Sequence, residues 1–417
     1  MTTRSNPALL LALLLLCACQ PQPAQQAASE TASLSISDSL TNALWAIHQQ
    51  GQINGFGVAI ANDEEVLYAN GIGYAHVPDS TPYTAHTLQN IGSVSKTFIG
   101  LALLKAQEMG KLKLDDPVNQ YLPFAVHNPR FPEDTITLRQ LATHTSSILD
   151  TETYNEQSYV LKELVTDSNL LKPVSERLNP PDAKIPMIAF LEHVLSADGK
   201  WYETACFSEN RPGAIFDYTN VGATLAAAVV EVATGQPFDA FVKTHILEPL
   251  EMNASGWSFD AIDFAQHSTL YASPDTAIPQ YSLVTYPDGG MLTSPADMGR
   301  YLSELIKGSV GEGTILTKES YQELFREQLT LEHIPWRSDE DDYNDEYNSG
   351  IFMGFTPKGH VGHTGGDPGI AAFMFFNPET KTGSFLMINT SVGNSEGVAE
   401  FYAIWKALIN HEKRLNN

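Results

Sequence analysis

Residues 92–110 read GSVSKTFIGLALLKAQEMG, and this stretch predicts a long helix that begins at Ser93 and stops at Gly110. Glycine often follows the end of a helix because it adopts the left-handed conformation at little cost. Apolar residues cover much of the helix circumference, so we expect the helix to be buried. They are Val94, Phe98, Leu101, Leu104 and Met109.

The same stretch carries a Ser-x-x-Lys motif, Ser93 and Lys96. At a helix start the Ser93 hydroxyl faces free backbone N–H groups and the positive end of the helix dipole, which suit a developing oxyanion. Lys96 lies one turn away on the same face. In an apolar setting its amine loses part of its preference for charge and can take the Ser93 proton. The alternative is an N-cap serine followed by a surface lysine, and the buried character of the helix favours the catalytic interpretation.

Outward from this helix, strand-like runs lie towards both chain ends and helical runs lie between them. The strand-like runs are 55–61, 65–75, 371–378 and 383–391. The helical runs are 36–50, 137–150, 221–234, 238–247, 295–307 and 396–411. This order predicts an α+β fold in which one antiparallel sheet is built from both chain ends and flanked by helices. The helical middle of the chain is then a long insertion.

A second motif is Phe216-Asp217-Tyr218-Thr219-Asn220, next to a predicted helix start. A phenol near an ammonium can share or relay a proton. The Asn220 amide can hold a carbonyl or an N–H group of a substrate. Taken alone, the segment fits an asparagine N-cap beside a packing tyrosine equally well.

A third motif, His363-Thr364-Gly365-Gly366, lies just before the predicted strand at 371–378. An imidazole on an edge strand can stabilise negative charge or bind a carboxylate, and glycines let a substrate backbone approach closely. Taken alone, it also fits a histidine in a solvated glycine-rich turn. His360 and His363 would need a third ligand to hold a metal, and the sequence contains no His-Glu-x-x-His helix. We therefore predict neither a metal nor a cofactor.

In order and spacing, the three elements SVSK, YTN and HTG resemble the motifs of the penicillin-recognising serine enzymes. That family contains class C β-lactamases, D-alanyl-D-alanine carboxypeptidases and related esterases. The resemblance covers about residues 36–412. It implies a β-lactamase/transpeptidase-like fold, in which an all-helical subdomain, here inserted at about 105–350, stands beside the sheet. The site is expected in the cleft between the two.

The resemblance also implies roles for the residues of the three motifs. Ser93 would be acylated with Lys96 as its base partner, and Tyr218 would move protons to the leaving group and activate the deacylating water. The backbone N–H groups of Ser93 and Gly366 would form the oxyanion hole. Three further residues would bind substrate: Asn220, His363 and Thr364.

Two features of the sequence bear on the substrate. His363 stands where class C β-lactamases usually carry the lysine of Lys-Thr-Gly, which favours a D-Ala-type carboxypeptidase, an aminopeptidase or an esterase. Segment 150–211 is the least family-like and is expected to shape a wall of the cleft. The alternatives are a class C-like β-lactamase and a catalytically silent penicillin-binding-type lipoprotein. The HTSS sequence at 144–147, where the family often has HTSG, is expected to affect a turn rather than the chemistry.

Charge and the N-terminus bear on partners and location. The formal net charge of -25 repels phosphate backbones, so we expect a small-molecule or peptide substrate and no nucleic acid. Residues 1–18 read as an export signal, and Leu16-Cys17-Ala18-Cys19 resembles the bacterial lipoprotein box, with lipid on Cys19. Residues 19–35 are expected to be a flexible tether. The predicted location is the periplasmic side of the outer or inner membrane, where the lipid on Cys19 is the only membrane contact.

Overall fold

The computed structural model describes residues 35–166, 168–172, 174, 178–336 and 350–416, and these belong to one compact unit. The α-helices are α1 (Ile36–His48), α2 (Lys96–Glu108), α3 (Leu138–Ala142), α4 (Glu152–Ser158), α5 (Ser168–Leu171), α6 (Met187–Leu195), α7 (Asn220–Thr234), α8 (Phe238–Val242), α9 (Pro295–Ser309), α10 (Lys318–Leu324) and α11 (Ser395–Leu415). The strands are β1 (Gly55–Asn62), β2 (Val66–His76), β3 (Thr81–Pro82), β4 (Gln89–Asn90), β5 (Tyr159–Leu161), β6 (Leu270–Ser273), β7 (Thr276–Ile278), β8 (Tyr281–Leu283), β9 (Leu292–Thr293), β10 (Gly354–Phe355), β11 (Val361–Asp367), β12 (Ile370–Asn377) and β13 (Thr382–Ile388).

The main sheet has seven antiparallel strands in the order β10-β11-β12-β13-β1-β2-β3. The hairpin β1–β2 from the N-terminal end lies beside the hairpin β12–β13 from the C-terminal end. The two hairpins join where Val58 of β1 pairs with Leu386 of β13. One sheet is therefore built from both chain ends, which confirms the predicted fold class.

Helices cover both faces of this sheet. Side chains alternate along β1, so Val58 and Ile60 belong to the core under α1 and α11, whereas Ala59 and Ala61 belong to the larger core on the other face. That larger core also contains α2, α7 and α9. Because β1 is covered on both sides, all eight of its residues are buried.

The predicted helix at 93–110 is confirmed, with a tighter first turn. Residues Gly92–Ser95 form a 3-10 turn that leads directly into α2. Gly110 follows the helix end with a φ of 69°, the left-handed conformation that glycine adopts readily. Ten of the thirteen residues of α2 are buried, as its apolar circumference predicts.

The prediction of a helix over 137–150 was wrong beyond its first turn and a half. Helix α3 ends at Ala142, and His144 and Ser147 have φ values of 54° and 65°, which no α-helix accommodates. The loop is held by distant backbone instead: the Leu149 N–H donates to the Cys206 carbonyl at 2.8 Å. The loop ends at Asp150, which lies in the site.

Several predictions lie outside the described residues or stay untested. The signal at 1–18, Cys19 and nearly all of the tether fall within residues 1–34, which are outside the described part of the chain. The helical subdomain at about 105–350 and the 36–412 hydrolase domain stay predictions. Among the described residues no single helix is long and apolar enough to cross a membrane, and α7 with Phe238–Leu247 qualifies only as a pair bent by 79°.

Candidate active site

Lys96 lies at the centre of the site, and its side chain is buried. Its Nζ donates to Ser93 Oγ at 3.0 Å, to Asn220 Oδ1 at 2.6 Å and to the backbone carbonyl of Asp288 at 2.8 Å. It also lies 5.1 Å from the centre of the Tyr218 ring. Four predicted catalytic and substrate-binding residues are therefore brought together: Ser93, Lys96, Tyr218 and Asn220.

The partners of Lys96 suit proton transfer with Ser93. Carbonyl oxygens only accept hydrogen bonds, so the bonds to Asn220 and Asp288 use two N–H groups of Lys96. A neutral amine has two N–H groups and a lone pair, and it can keep both bonds while its lone pair faces Ser93 Oγ. An ammonium can fill the same three directions with N–H groups. The geometry therefore accommodates Lys96 both before and after it accepts a proton.

Asp150 holds the start of α7 and orients Asn220. Its carboxylate accepts the Thr219 hydroxyl at 2.8 Å and the backbone N–H groups of Asn220 and Val221, both at 2.9 Å. It also accepts Asn220 Nδ2 at 2.8 Å. This bond fixes which end of the amide is turned to Lys96, so the Asn220 carbonyl oxygen faces the amine. A carboxylate at a helix N-terminus is also favoured by the helix dipole.

His144 packs against Tyr218, which the sequence analysis missed. The two rings are stacked with their centres 4.4 Å apart, and His144 Nδ1 accepts the backbone N–H of Thr219 at 3.2 Å. The HTSS turn therefore contacts the site, because its histidine stacks on the Tyr218 ring. The sequence placed His144 within the predicted helix over 137–150 and in the HTSS sequence at 144–147, and neither reveals this contact.

His363 and Thr364 lie on β11, along one edge of the sheet. His363 is buried, and its Nδ1 is 2.6 Å from the Thr364 carbonyl. Its ring centre is 6.2 Å from that of Tyr218. Thr364 pairs with Phe373 and projects from the opposite face of the strand, since neighbouring side chains alternate. Strand β10 pairs only with Val361 and Gly362, so among the described strands none covers this edge from His363 onward.

The backbone of the turn that carries Ser93 is in close contact with the backbone of β11. Gly92 has a φ of 53°, and a Cβ there would lie 2.7 Å from the Gly366 nitrogen. A Cβ on Gly365 would lie 3.2 Å from the Ser93 nitrogen. Only glycines permit this approach, and it brings together the two N–H groups predicted to form the oxyanion hole. A Cβ on Gly366 would meet nothing within 4 Å, so this residue borders open space.

The buried acid Asp288 and the buried tyrosines Tyr154 and Tyr159 lie against the site. Asp288 is 1% exposed and accepts the Tyr154 hydroxyl at 3.1 Å and the Thr224 hydroxyl at 2.8 Å. Burial raises the pKa of Asp288 to about 6, while Lys96 acts in the opposite direction. Tyr159 donates to Asp367 on β11. Both tyrosines come from segment 150–211, whose first part therefore lies against the site. Within the described ranges, no group of three or more His, Cys, Asp or Glu side chains could hold a metal.

Comparisons with known proteins give one consistent similarity. A family model described as Beta-lactamase matches residues 38–409. Protein flp of Staphylococcus aureus (strain MW2) is 25% identical over 373 residues, which cover 88% of this chain and 65% of the relative. The chain therefore spans slightly less than two thirds of that relative's length.

Solved structures share the fold. The octameric penicillin-binding protein homologue from Pyrococcus abyssi superposes with a TM-score of 0.67 and 26% identity, covering 89% of this chain and 77% of that one. The D-amino acid amidase from Ochrobactrum anthropi SV3, solved with L-phenylalanine amide, has a TM-score of 0.63 and 20% identity, covering 89% and 99%.

Proposed function

Because this chain belongs to the Beta-lactamase family, whose model spans residues 38–409, we propose that it is a serine hydrolase that cleaves amide or ester bonds through an acyl-enzyme on Ser93. The observation that carries the proposal is the contact of Lys96 Nζ with Ser93 Oγ at 3.0 Å. Two carbonyl acceptors aim the amine at that oxygen. An activated nucleophile needs a base within hydrogen-bond reach, held in place by a further group.

Acylation would proceed by attack of Ser93 Oγ on the carbonyl carbon of the substrate. Lys96 takes the Ser93 proton, directly or with Tyr218, and the carbonyl oxygen becomes an oxyanion between the N–H groups of Ser93 and Gly366. The bond to the leaving nitrogen or oxygen then breaks, and Tyr218 passes the proton to the leaving group. An ester between Ser93 and the acyl part remains.

Deacylation would use the same groups in reverse order. A water molecule attacks the acyl carbon while Tyr218 and Lys96 accept its proton. Ser93 Oγ leaves and recovers a proton, which releases a carboxylic acid. Strand β11 would align the substrate, since it carries His363 and Thr364 beside the proposed oxyanion hole and no described strand pairs with it from His363 onward.

The substrate is proposed to be a peptide, amino-acid amide or ester rather than a β-lactam. A histidine rather than a lysine at position 363 supports this, and so does the fold shared with a D-amino acid amidase. β-Lactam acylation is the second candidate, because the fold is also shared with penicillin-binding protein homologues.

Intact-protein mass spectrometry tests the nucleophile. The full chain and its Ser93→Ala variant are exposed to p-nitrophenyl acetate and, separately, to a fluorescent penicillin. An adduct on the wild type that is absent from Ser93→Ala is expected. Turnover of a D-amino acid amide, compared with the lifetime of each adduct, then separates amidase, esterase and β-lactamase use.

Ser95→Ala is the matched control. Ser95 lies in the same turn as Ser93, but its hydroxyl accepts the Met291 backbone N–H instead of facing Lys96. It should keep the adduct. A wild type that forms no adduct and turns over neither reagent would contradict the proposed hydrolase and favour a silent binding protein.

We also propose that the protein is exported and lipidated at Cys19. The lipoprotein-like sequence around Cys19 is the support for this proposal. Metabolic labelling with a palmitate analogue should mark the wild type and leave Cys19→Ala unlabelled. Equal labelling of both would contradict it.

A further inference from the structure

Asp288 is a buried acid that contacts the site, and its carboxylate has no part in the steps above. It ends the 3-10 turn Tyr286–Asp288 and is 1% exposed. Its backbone carbonyl accepts Lys96 Nζ at 2.8 Å. Its carboxylate accepts the hydroxyls of Tyr154 and Thr224, which are themselves 3% and 0% exposed. One residue therefore contacts the amine through its backbone carbonyl and carries a buried carboxylate on which the charge of Lys96 acts.

The charge of this carboxylate acts on Lys96. Burial raises the pKa of Asp288 to about 6, and the electrostatic attraction of Lys96 is the largest effect that lowers it. The attraction is mutual, so an ionised Asp288 favours the ammonium form of Lys96 by the same free energy. Hydroxyl donors stabilise the carboxylate but carry no charge that would cancel this effect.

Other groups around Asp288 do not cancel the attraction between its carboxylate and Lys96. Tyr154 and Thr224 are neutral donors, and Asp150 is a second acid that raises the pKa of Asp288. Tyr159 and Asp367 act on Tyr154 from further away. The ionisable groups that face Asp288 or its tyrosine are Lys96 on α2, Tyr154 on α4, Tyr159 on β5, Asp150 in the loop before α4, and Asp367 on β11. Lys96 is the cation of this set.

We propose that Asp288 is a positioning residue for the reaction, which holds the Lys96 amine towards Ser93 through its carbonyl and sets the proton affinity of that amine through its carboxylate. The inference rests on the proposed function of Ser93 and Lys96. With Asp288 ionised, Lys96 must lose a more tightly held proton before it can act as a base. The pH at which acylation becomes fast is therefore determined partly by Asp288.

The pH dependence of acylation tests this role. The rate constant for acylation of Ser93 by p-nitrophenyl acetate is measured from pH 5 to pH 10 for the wild type and for Asp288→Asn, an isosteric change that keeps the backbone carbonyl. The part of the pH–rate profile that follows deprotonation of Lys96, its limb, should move to lower pH by about one unit in the variant. The reason is that a nearby opposite charge shifts a titration by about 1–3 units. An unmoved limb, or one moved to higher pH, would overturn the proposal.

Glu412→Gln is the matched control. Glu412 is another hydroxyl-bonded acid whose pKa burial raises, to about 7, but it lies on α11 against β13. Its neutralisation should leave the limb in place. If Asp288→Asn does not fold, Asp288→Ser decides instead. It also removes the charge and keeps the backbone carbonyl, so the limb should again move to lower pH, and an unmoved limb would overturn the proposal.

A readout without acylation separates this proposal from the proposed function. Lysine labelled with 13C at Cε is titrated by NMR, and the Lys96 signal is assigned from its absence in Lys96→Met. Its midpoint should be lower in Asp288→Asn than in the wild type. If the wild type forms no adduct but this midpoint shifts, the hydrolase proposal fails and the role of Asp288 stands. An equal midpoint in both proteins would overturn the role of Asp288 alone.

Discussion

On each face of the main sheet, hydroxyl groups stabilise an acid that is fully buried in one case and half-buried in the other. On the site face, Asp288 accepts Tyr154 and Thr224. On the opposite face, Glu412 of α11 accepts Ser384 at 2.6 Å and Thr382 at 3.3 Å. Burial raises the pKa of Asp288 to about 6 and that of Glu412 to about 7. The same packing chemistry is thus present twice.

The two acids differ in what stands beside them. Lys96 counteracts the effect of burial on Asp288, whereas for Glu412 only the hydroxyls of Ser384 and Thr382 do so. The layer of α1 and α11 buries mostly apolar side chains such as Phe56, Leu386 and Trp405, together with the acid Glu400 of α11. The charge of Glu412 is therefore expected to affect stability alone, whereas the charge of Asp288 is proposed to act on the Lys96 amine as well. Substitutions at Lys96 and Gly92 on the site face and at Glu412 on the opposite face test this difference and the site around it.

Lys96→Met should have the largest effect. It removes the base and leaves Asp288 buried without its cation, so acylation of Ser93 should fall on the order of 10³-fold. Acylation kinetics with p-nitrophenyl acetate measure the loss. Lys105→Met is the control on the same helix, because Lys105 Nζ donates to the Ile315 carbonyl at 2.9 Å, far from Ser93 in the fold. A similar loss in both variants would mean that the helix, not the amine, had been damaged.

Gly92→Ala should have an intermediate effect. A Cβ at this position would lie 2.7 Å from the Gly366 nitrogen on a backbone with a φ of 53°. We expect acylation to slow at least about tenfold, because the oxyanion donors are displaced. The free energy of unfolding should fall by about 1–3 kcal/mol.

Gly110→Ala separates the effect of backbone strain at a positive φ from the effect of displacing the oxyanion-hole donors. Gly110 has a φ of 69°, and a Cβ there would meet nothing within 4 Å. This variant should lose about 1 kcal/mol of stability and keep the acylation rate per folded molecule. Equal acylation rates in the two variants would contradict the proposal that the contact of Gly92 with Gly366 of β11 holds the oxyanion-hole donors in place.

Glu412→Gln should have the smallest effect and change stability only. A raised pKa means that the folded state binds the proton more tightly than the unfolded state does. The contribution of protonated Glu412 to the free energy of unfolding is therefore fully present below pH 4.5 and is lost as pH rises through about 7. Because Glu412 is half-buried, we expect the wild type to lose about 1 kcal/mol relative to the variant over that range. Urea unfolding at pH 4.5 and pH 8 measures it. The contrast between the two faces of the sheet would be contradicted if the difference in unfolding free energy between the two proteins were the same at both pH values. A shift in the pH profile of acylation in the variant would contradict it as well.

The parts of the site that sequence could predict are local ones. Ser93 and Lys96 are three residues apart in one turn, and Tyr218 and Asn220 are two apart beside a helix start. Asp150 and Asp288 carry no such signal. They reach the site from 70 residues before Asn220 and 192 residues after Lys96, and the chain has 49 acidic residues from which to choose. The wrong prediction of a helix over 137–150 has the same cause, because the backbone of that segment bonds to residues near Cys206, far along the chain.

The sequence by itself determined the buried helix after Ser93, the two hairpins, the sheet made from both chain ends and the three motifs, since periodicity and neighbouring residues suffice for these. Only the tertiary structure decided that His144 supports Tyr218, that Gly92 touches Gly366 and that Asp288 lies under Lys96. Those contacts depend on how loops close over long separations and on how the strands pair. Their free energies come from packing and desolvation that no short stretch of chain contains.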